Sequence, residues 1–181
     1  MNPPEKFVIA NDELEIYTRE NTDFWQRTHY GFQNDNGHFL YTFVNGDFDL
    51  SAKITSFFKN QYDQAGIMVR YSNFTWIKTS VEYEKPGIAF LGSVVTRFGY
   101  SDWATQFYDP KNKEITLKLC RKADDFSIFF LKEKEWIQQR ICHLEREQNE
   151  LMVGFYSCSP KNGGFRSIFS DMILKKIENV Y

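Results

Sequence analysis

The amino-acid sequence predicts an all-β fold, a sandwich of two antiparallel sheets, and three observations carry that expectation. Apolar and polar residues alternate with period 2 in one stretch after another, while the 3.6-residue period of a helix does not recur. Asp, Asn, Pro and Gly cluster at regular intervals between these stretches, where turns belong. The chain is also rich in flat side chains, with 18 Phe, 10 Tyr and 4 Trp making 18% of its 181 residues. That content excludes disorder and implies a core built on large rings.

The central strands show the pattern best. In Gln64–Arg70 the residues Ala65, Ile67 and Val69 share one face, and Gln64, Met68 and Arg70 share the other. After a turn at Ser72-Asn73, Ile77, Thr79, Val81 and Tyr83 face one way while Trp76, Lys78, Ser80 and Glu82 face the opposite way. Glu84-Lys85-Pro86-Gly87 forms the next turn, and residues 88–96 form a third strand. Further strands are expected at residues 103–108, 115–121, 126–131, 136–144, 151–157 and 165–177, divided by turns such as Asp109-Pro110-Lys111-Asn112 and Ser159-Pro160-Lys161-Asn162-Gly163-Gly164. A short helical turn is allowed only at residues 132–136. With no repeat and no linker, residues 1–181 are expected to form one domain.

Charge and motifs exclude several functions. The formal net charge is −2, which gives no electrostatic reason to bind nucleic acid or an anionic membrane. Residues 1–6 lack the layout of a signal peptide and no apolar run is long enough to span a bilayer, so a cytoplasmic protein is expected. Cys120, Cys142 and Cys158 form no Cys-x-x-Cys pair and are read as reduced, buried thiols. His29, His38 and His143 have no metal-ligand spacing, and no nucleotide-cradling glycine loop or nucleophile elbow occurs, so no cofactor is expected. Asp47, Asp49 and Asp171 offer oxygens suited to calcium, but such aspartates more often cap turns. The acidic stretch 145–150 reads as a solvated hairpin, because Arg146 and Gln148 stand where a strand carrying paired catalytic carboxylates would want apolar residues.

The candidate functional surface is the polar face of the two central strands. Gln64 and Arg70 on one, and Trp76, Lys78 and Glu82 on the next, would lie side by side and mix an aromatic plate with donors and acceptors. A ring that stacks on a pyranose beside amides and charged groups that bond its hydroxyls suits a sugar. The same face could equally be a solvated outer surface or a protein contact.

Several strings go beyond pattern: residues 23–31 around Trp25 and His29, residues 62–70 containing Tyr62-Asp63-Gln64-Ala65-Gly66, residues 76–82, Ser93-Val94-Val95-Thr96, Tyr100-Ser101-Asp102-Trp103, residues 153–160, and residues 163–171. Together they resemble the small uncharacterised family that includes the fungal "regulation of enolase" protein, within the concanavalin A-like lectin and glucanase superfamily. The Tyr-Asp-Gln-Ala-Gly string is also similar to the accessory β-sandwich of some β-xylosidases. The resemblance implies a concanavalin A-like jelly roll whose concave face binds a carbohydrate or other small ligand without catalysis, with Trp25, His29, Gln64, Lys78, Glu82, Asp102 and Trp103 on that face beside Trp76, which the alternation places there. It also implies, as an alternative, a protein partner among metabolic enzymes such as enolase. The glucanases' acidic signature is not reproduced; a sugar-acting enzyme would have to use Glu82 as general acid or base with His29 or Asp102 beside it.

Overall fold

A computed structural model describes residues 1–177, so residues 178–181 of the expected single domain lie outside the described residues. The described chain contains strands and no helix: β1 (Lys6–Ala10), β2 (Glu13–Tyr17), β3 (Phe24–Gln26), β4 (Gln33–Asp35), β5 (His38–Val44), β6 (Asp47–Phe57), β7 (Gln64–Arg70), β8 (Trp76–Lys85), β9 (Ile88–Arg97), β10 (Tyr100–Tyr108), β11 (Glu114–Lys122), β12 (Asp125–Lys132), β13 (Glu135–His143), β14 (Leu151–Cys158) and β15 (Arg166–Ile177). Seven of them form one sheet in the order β1-β2-β15-β6-β11-β12-β13, and six form another in the order β10-β9-β8-β7-β14-β5. Every neighbouring pair in these sheets is antiparallel. The fold is the all-β sandwich expected from the alternation.

The core between the sheets is made by the inward-pointing half of each alternating strand. Leu50 and Ile54 of β6 and Leu117 and Leu119 of β11 meet Ile67 and Val69 of β7 and Ile77 and Val81 of β8 in one buried cluster. These last four are residues that the period-2 pattern assigns to the apolar face. Two local expectations fail. Residues 132–136 hold no helical turn: Glu133 and Lys134 both take positive φ in a tight turn that joins β12 to β13, the backbone hand that matches strand twist. Glu84 lies within β8 rather than beyond it, at an irregularity between Tyr83 and Lys85.

The strands before Gln64 add what the sequence analysis does not place. The clearest is β6, where Phe48, Leu50, Ala52, Ile54 and Ser56 are buried in strict alternation with partly exposed residues. The smallest, β3 and β4, form a two-stranded hairpin separate from both sheets.

That hairpin lies across the outer face of the six-stranded sheet and gives it a second core. Phe24 of β3 packs edge-on to Tyr156, at 6.1 Å between ring centres, and lies 6.4 Å from Trp76. Met68, Phe39, Val94 and Cys158 complete the cluster. Gly37 makes room for Phe24, since a Cβ there would come within 2.5 Å of the ring and of the Cys158 sulfur. Consequently every residue of β7 is buried, on both faces, although half of them face away from the inter-sheet core. Arg70, one of these, is satisfied by a two-pronged ion pair with Asp35 of β4, the Nη2 to Oδ2 contact being 2.7 Å.

Removing one partner of a buried pair leaves the other charge without compensation, at about 3 to 5 kcal/mol. Asp35 is itself about one-third exposed, which places the expected loss for Asp35→Asn near the lower end. Urea denaturation measures it; an unchanged midpoint would show that this pair does not hold the hairpin.

Candidate functional site

The hairpin covers only part of the outer face, and beside it the sheet stays open as a pocket of about 280 Å³. This is at the lower end of the range for small-molecule sites, enough for one sugar ring or a molecule of that size. The sheet itself supplies the floor. In register, Gln64 of β7 lies opposite Glu82 of β8, Ser80 opposite Gly92 of β9, and Val94 opposite Trp103 of β10. Period 2 thus brings Gln64, Lys78, Ser80, Glu82, Gly92, Val94 and Trp103 to one face, and all of them line the pocket.

Five aromatic side chains form the walls: Trp25, Tyr30, Phe32, Tyr62 and Trp103. Trp25 on β3 stands perpendicular to Trp103, with ring centres 6.4 Å apart, and donates its indole N–H to the carbonyl of Thr28. Tyr30 lies 5.4 Å from Trp25 and stacks on Phe32. Gly92 gives Trp103 its place, because a Cβ there would come within 2.7 Å of the indole nitrogen. Tyr62 is held in a left-handed conformation, φ 72°, just ahead of β7. The buried Asp63 carboxylate fixes this bend by accepting from the backbone N–H groups of Lys59 and Asn60 and from the Ser159 hydroxyl.

Three hydrogen bonds occupy Lys78. Its ammonium donates to the Phe24 carbonyl at 2.7 Å, to Gln64 Oε1 at 2.9 Å and to Asp23 Oδ1 at 3.5 Å. All three ammonium protons are used, so Lys78 joins β3 to the sheet rather than reaching for a ligand. Gln64 in turn donates through Nε2 to Glu82 Oε2 at 2.9 Å, and its Oε1 also accepts from the Tyr156 hydroxyl at 3.1 Å. The other Glu82 oxygen, Oε1, makes no hydrogen bond among the described residues. Burial raises the Glu82 pKa to about 8; Lys78 opposes the rise, while Asp23 and Glu84 add to it. At neutral pH the carboxyl is mostly protonated and can donate a hydrogen bond into the pocket.

Of the eight residues expected on this face, Trp25, Gln64, Lys78, Glu82 and Trp103 line the pocket, and three do not. Trp76 is fully buried under the hairpin, its N–H bonded to the Asn73 carbonyl. His29 sits on the exposed tip of the turn between β3 and β4, against Tyr30. Asp102 points the other way from Trp103, as adjacent strand residues must, and pairs with Arg140 at 2.7 Å. Glu82 therefore has neither His29 nor Asp102 with it in the pocket. The sequence reasoning missed Asp23, Tyr30, Phe32, Tyr62 and Lys161 as lining residues. For Tyr62 a signal existed, since it opens the Tyr-Asp-Gln-Ala-Gly string. Asp23 and Tyr30 lie in the string of residues 23–31, whereas Phe32 and Lys161 arrive through the hairpin and the loop ahead of β15, which no local pattern places.

The state of Glu82 has a consequence for stability. The folded protein holds this proton more tightly than the unfolded chain, whose carboxyl titrates near 4.5, so its contribution is present below about pH 4.5 and is lost as pH rises through about 8. Glu82→Gln copies the neutral form and removes that loss. Its urea midpoint is expected to overtake that of the unmodified protein between about pH 5 and about pH 9, and parallel midpoints across that range would refute the assignment.

Comparison with known proteins places the chain in context. Residues 1–177 match the family described as "Protein of unknown function (DUF1349)". The chain is 33% identical over 175 residues to "Regulation of enolase protein 1" of Saccharomyces cerevisiae, a match covering 96% of this chain and 87% of that protein. It superposes with a TM-score of 0.91 and 31% identity on the crystal structure of a functionally unknown protein of the same yeast, covering 99% of this chain and 96% of that one. A glycoside hydrolase family 43 protein of Bacillus licheniformis, BlXynB, matches with a TM-score of 0.71 at 13% identity, over 96% of this chain and 35% of its own. At that identity the likeness speaks for the β-sandwich alone. From the family match over its described length and the yeast relative, the chain belongs to the DUF1349 family.

Proposed function

We propose that the protein binds a single sugar ring, or a hydroxylated molecule of that size, in the pocket on the outer face of the six-stranded sheet, without transforming it. The observation that carries this reading is the division of the pocket into an aromatic wall and a polar floor. Trp103 is 38% exposed and its indole N–H makes no hydrogen bond among the described residues, so one side chain offers both a stacking face and a free donor. Ser80 and the free oxygen of Glu82 add hydroxyl partners. Binding rather than catalysis is supported by the engagement of the floor. Lys78, Gln64 and Asp23 are bound to one another and to β3, and a general acid at Glu82 would lack a second catalytic group beside it.

Losing a stacking ring costs about 1 to 3 kcal/mol in other aromatic platforms. Calorimetric titration with mono- and oligosaccharides is therefore expected to detect a ligand whose affinity falls about ten-fold or more in Trp103→Ala. Absence of binding across the panel, or equal binding by the variant, would overturn the proposal.

A second reading, regulation of a glycolytic enzyme by direct contact, is favoured by one observation, the name of the yeast relative. A cytoplasmic location would bring the protein to such a partner. It predicts a complex between the purified protein and purified enolase, seen by light scattering at tens of micromolar. Two independent species at that concentration would count against it.

A further inference from the structure

The loop between β14 and β15 brings a cation to the pocket that the sugar-binding reading does not use. Lys161 lines the pocket, with its ammonium 5.4 Å from the centre of the Tyr62 ring. The loop is pinned along its length. The carbonyl of Ser159 accepts from Thr22 N–H at 3.0 Å, that of Lys161 accepts from Asn21 N–H at 3.2 Å, and Gly163 N–H donates to Glu20 at 3.1 Å. The Ser159 hydroxyl donates to Asp63, the same carboxylate that sets the Tyr62 bend, so Lys161 and Tyr62 are positioned by one buried group. Among the described residues no carboxylate lies within ion-pair distance of Lys161.

The charges inside the pocket do not cancel. Asp23 is matched by Lys78, to which it is bonded, and the half-buried Glu82 carboxyl, its pKa raised to about 8, is mostly protonated at neutral pH. Lys161 remains, so the lining residues include one positive charge without an ion-pair partner among the described residues, exposed at the rim beside Tyr62. An organic cation, which aromatic walls attract, would be repelled by the Lys161 ammonium. A negatively charged ligand meets an ammonium carried on a pinned stretch of backbone.

We propose that the pocket's ligand is a compact hydroxylated ring bearing one anionic group, a carboxylate or a phosphate, and that Lys161 binds this group at the rim while Trp103 and the floor hold the ring. The inference rests on the pocket being a small-ligand site. A charge-assisted contact of this kind corresponds to about a ten-fold gain in affinity.

The test compares D-glucose, D-glucuronate and D-glucose 6-phosphate at pH 7 by calorimetry, with intrinsic tryptophan fluorescence, to which Trp25 and Trp103 of the pocket contribute, as a second signal. At least one of the two anions is expected to bind about ten-fold more tightly than glucose, with the advantage shrinking at high salt. Which of them gains tells carboxylate from phosphate. Lys161→Met is expected to collapse the ratio of anion to glucose affinity towards one, and Lys161→Arg to restore it. If glucose binds as well as both anions, or if the preference survives in Lys161→Met, the anion assignment falls while the small-ligand reading stands. If none of the three binds by either signal, both fall together.

Discussion

The structure depends on one buried cation. Lys78 points away from the main core, where an ammonium without partners would be expelled, and it is retained because the Phe24 carbonyl, Gln64 and Asp23 take its three protons. Two of those acceptors belong to the chain leading into and through β3, so satisfying Lys78 requires the hairpin to lie on the sheet. Arg70 repeats the requirement one strand away through Asp35 at the end of β4. The ion pairs offset a desolvation cost rather than adding large net stability. Their effect is to fix one position for the hairpin, which Phe24 then reinforces by apolar burial among Trp76, Tyr156 and Met68.

From that position the pocket follows. A hairpin anchored over β7 and β8 reaches as far as Val94 of β9 and Ser101 of β10 and leaves the sheet open beside it, where Trp25 of β3 forms a wall facing Trp103. The turn that joins β3 to β4 carries Tyr30, with Phe32 stacked behind it. On the opposite side Asp63 draws together the bend at Tyr62 and the loop of Lys161. The pocket is therefore a residual space between elements that are each held for structural reasons, and its shape does not depend on a ligand to form it. Part of the outer face is plugged by the chain's own rings and part is open, so this sheet serves as both a second core and a candidate binding surface.

Glu82 illustrates how the same geometry sets chemistry. It belongs to the row that contains Gln64, whose amide is oriented by Lys78 and Tyr156 so that its Nε2 donates to the carboxyl and to the Tyr62 carbonyl. Burial then favours the neutral acid over the carboxylate, and Lys78, already committed to other acceptors, does not reverse this. A neutral acid on the floor and an ammonium at the rim give the pocket a polarity along its depth.

Much of this was written locally in the chain. Period 2 in residues 64–70 and 76–83 placed Ile67, Val69, Ile77 and Val81 on the inter-sheet face and grouped Gln64, Lys78, Ser80 and Glu82 on the other, because side chains on neighbouring antiparallel strands keep their face whatever the rest of the chain does. The all-β sandwich followed from the same rule and from the turn residues. Local pattern could not tell which part of the polar face would be covered. Trp76 and Trp103 look alike in sequence, yet one is sealed beneath Phe24 and the other borders the pocket, and the difference is made by a hairpin whose residues lie about fifty positions away from Trp76. Asp102 and Trp103 are neighbours in one string, yet a strand sends them to opposite faces and only Trp103 reaches the pocket. What the sequence determined alone was the sheet and its two faces; only the tertiary structure decided where water was excluded, since burial is a property of what packs on a face and not of the face itself.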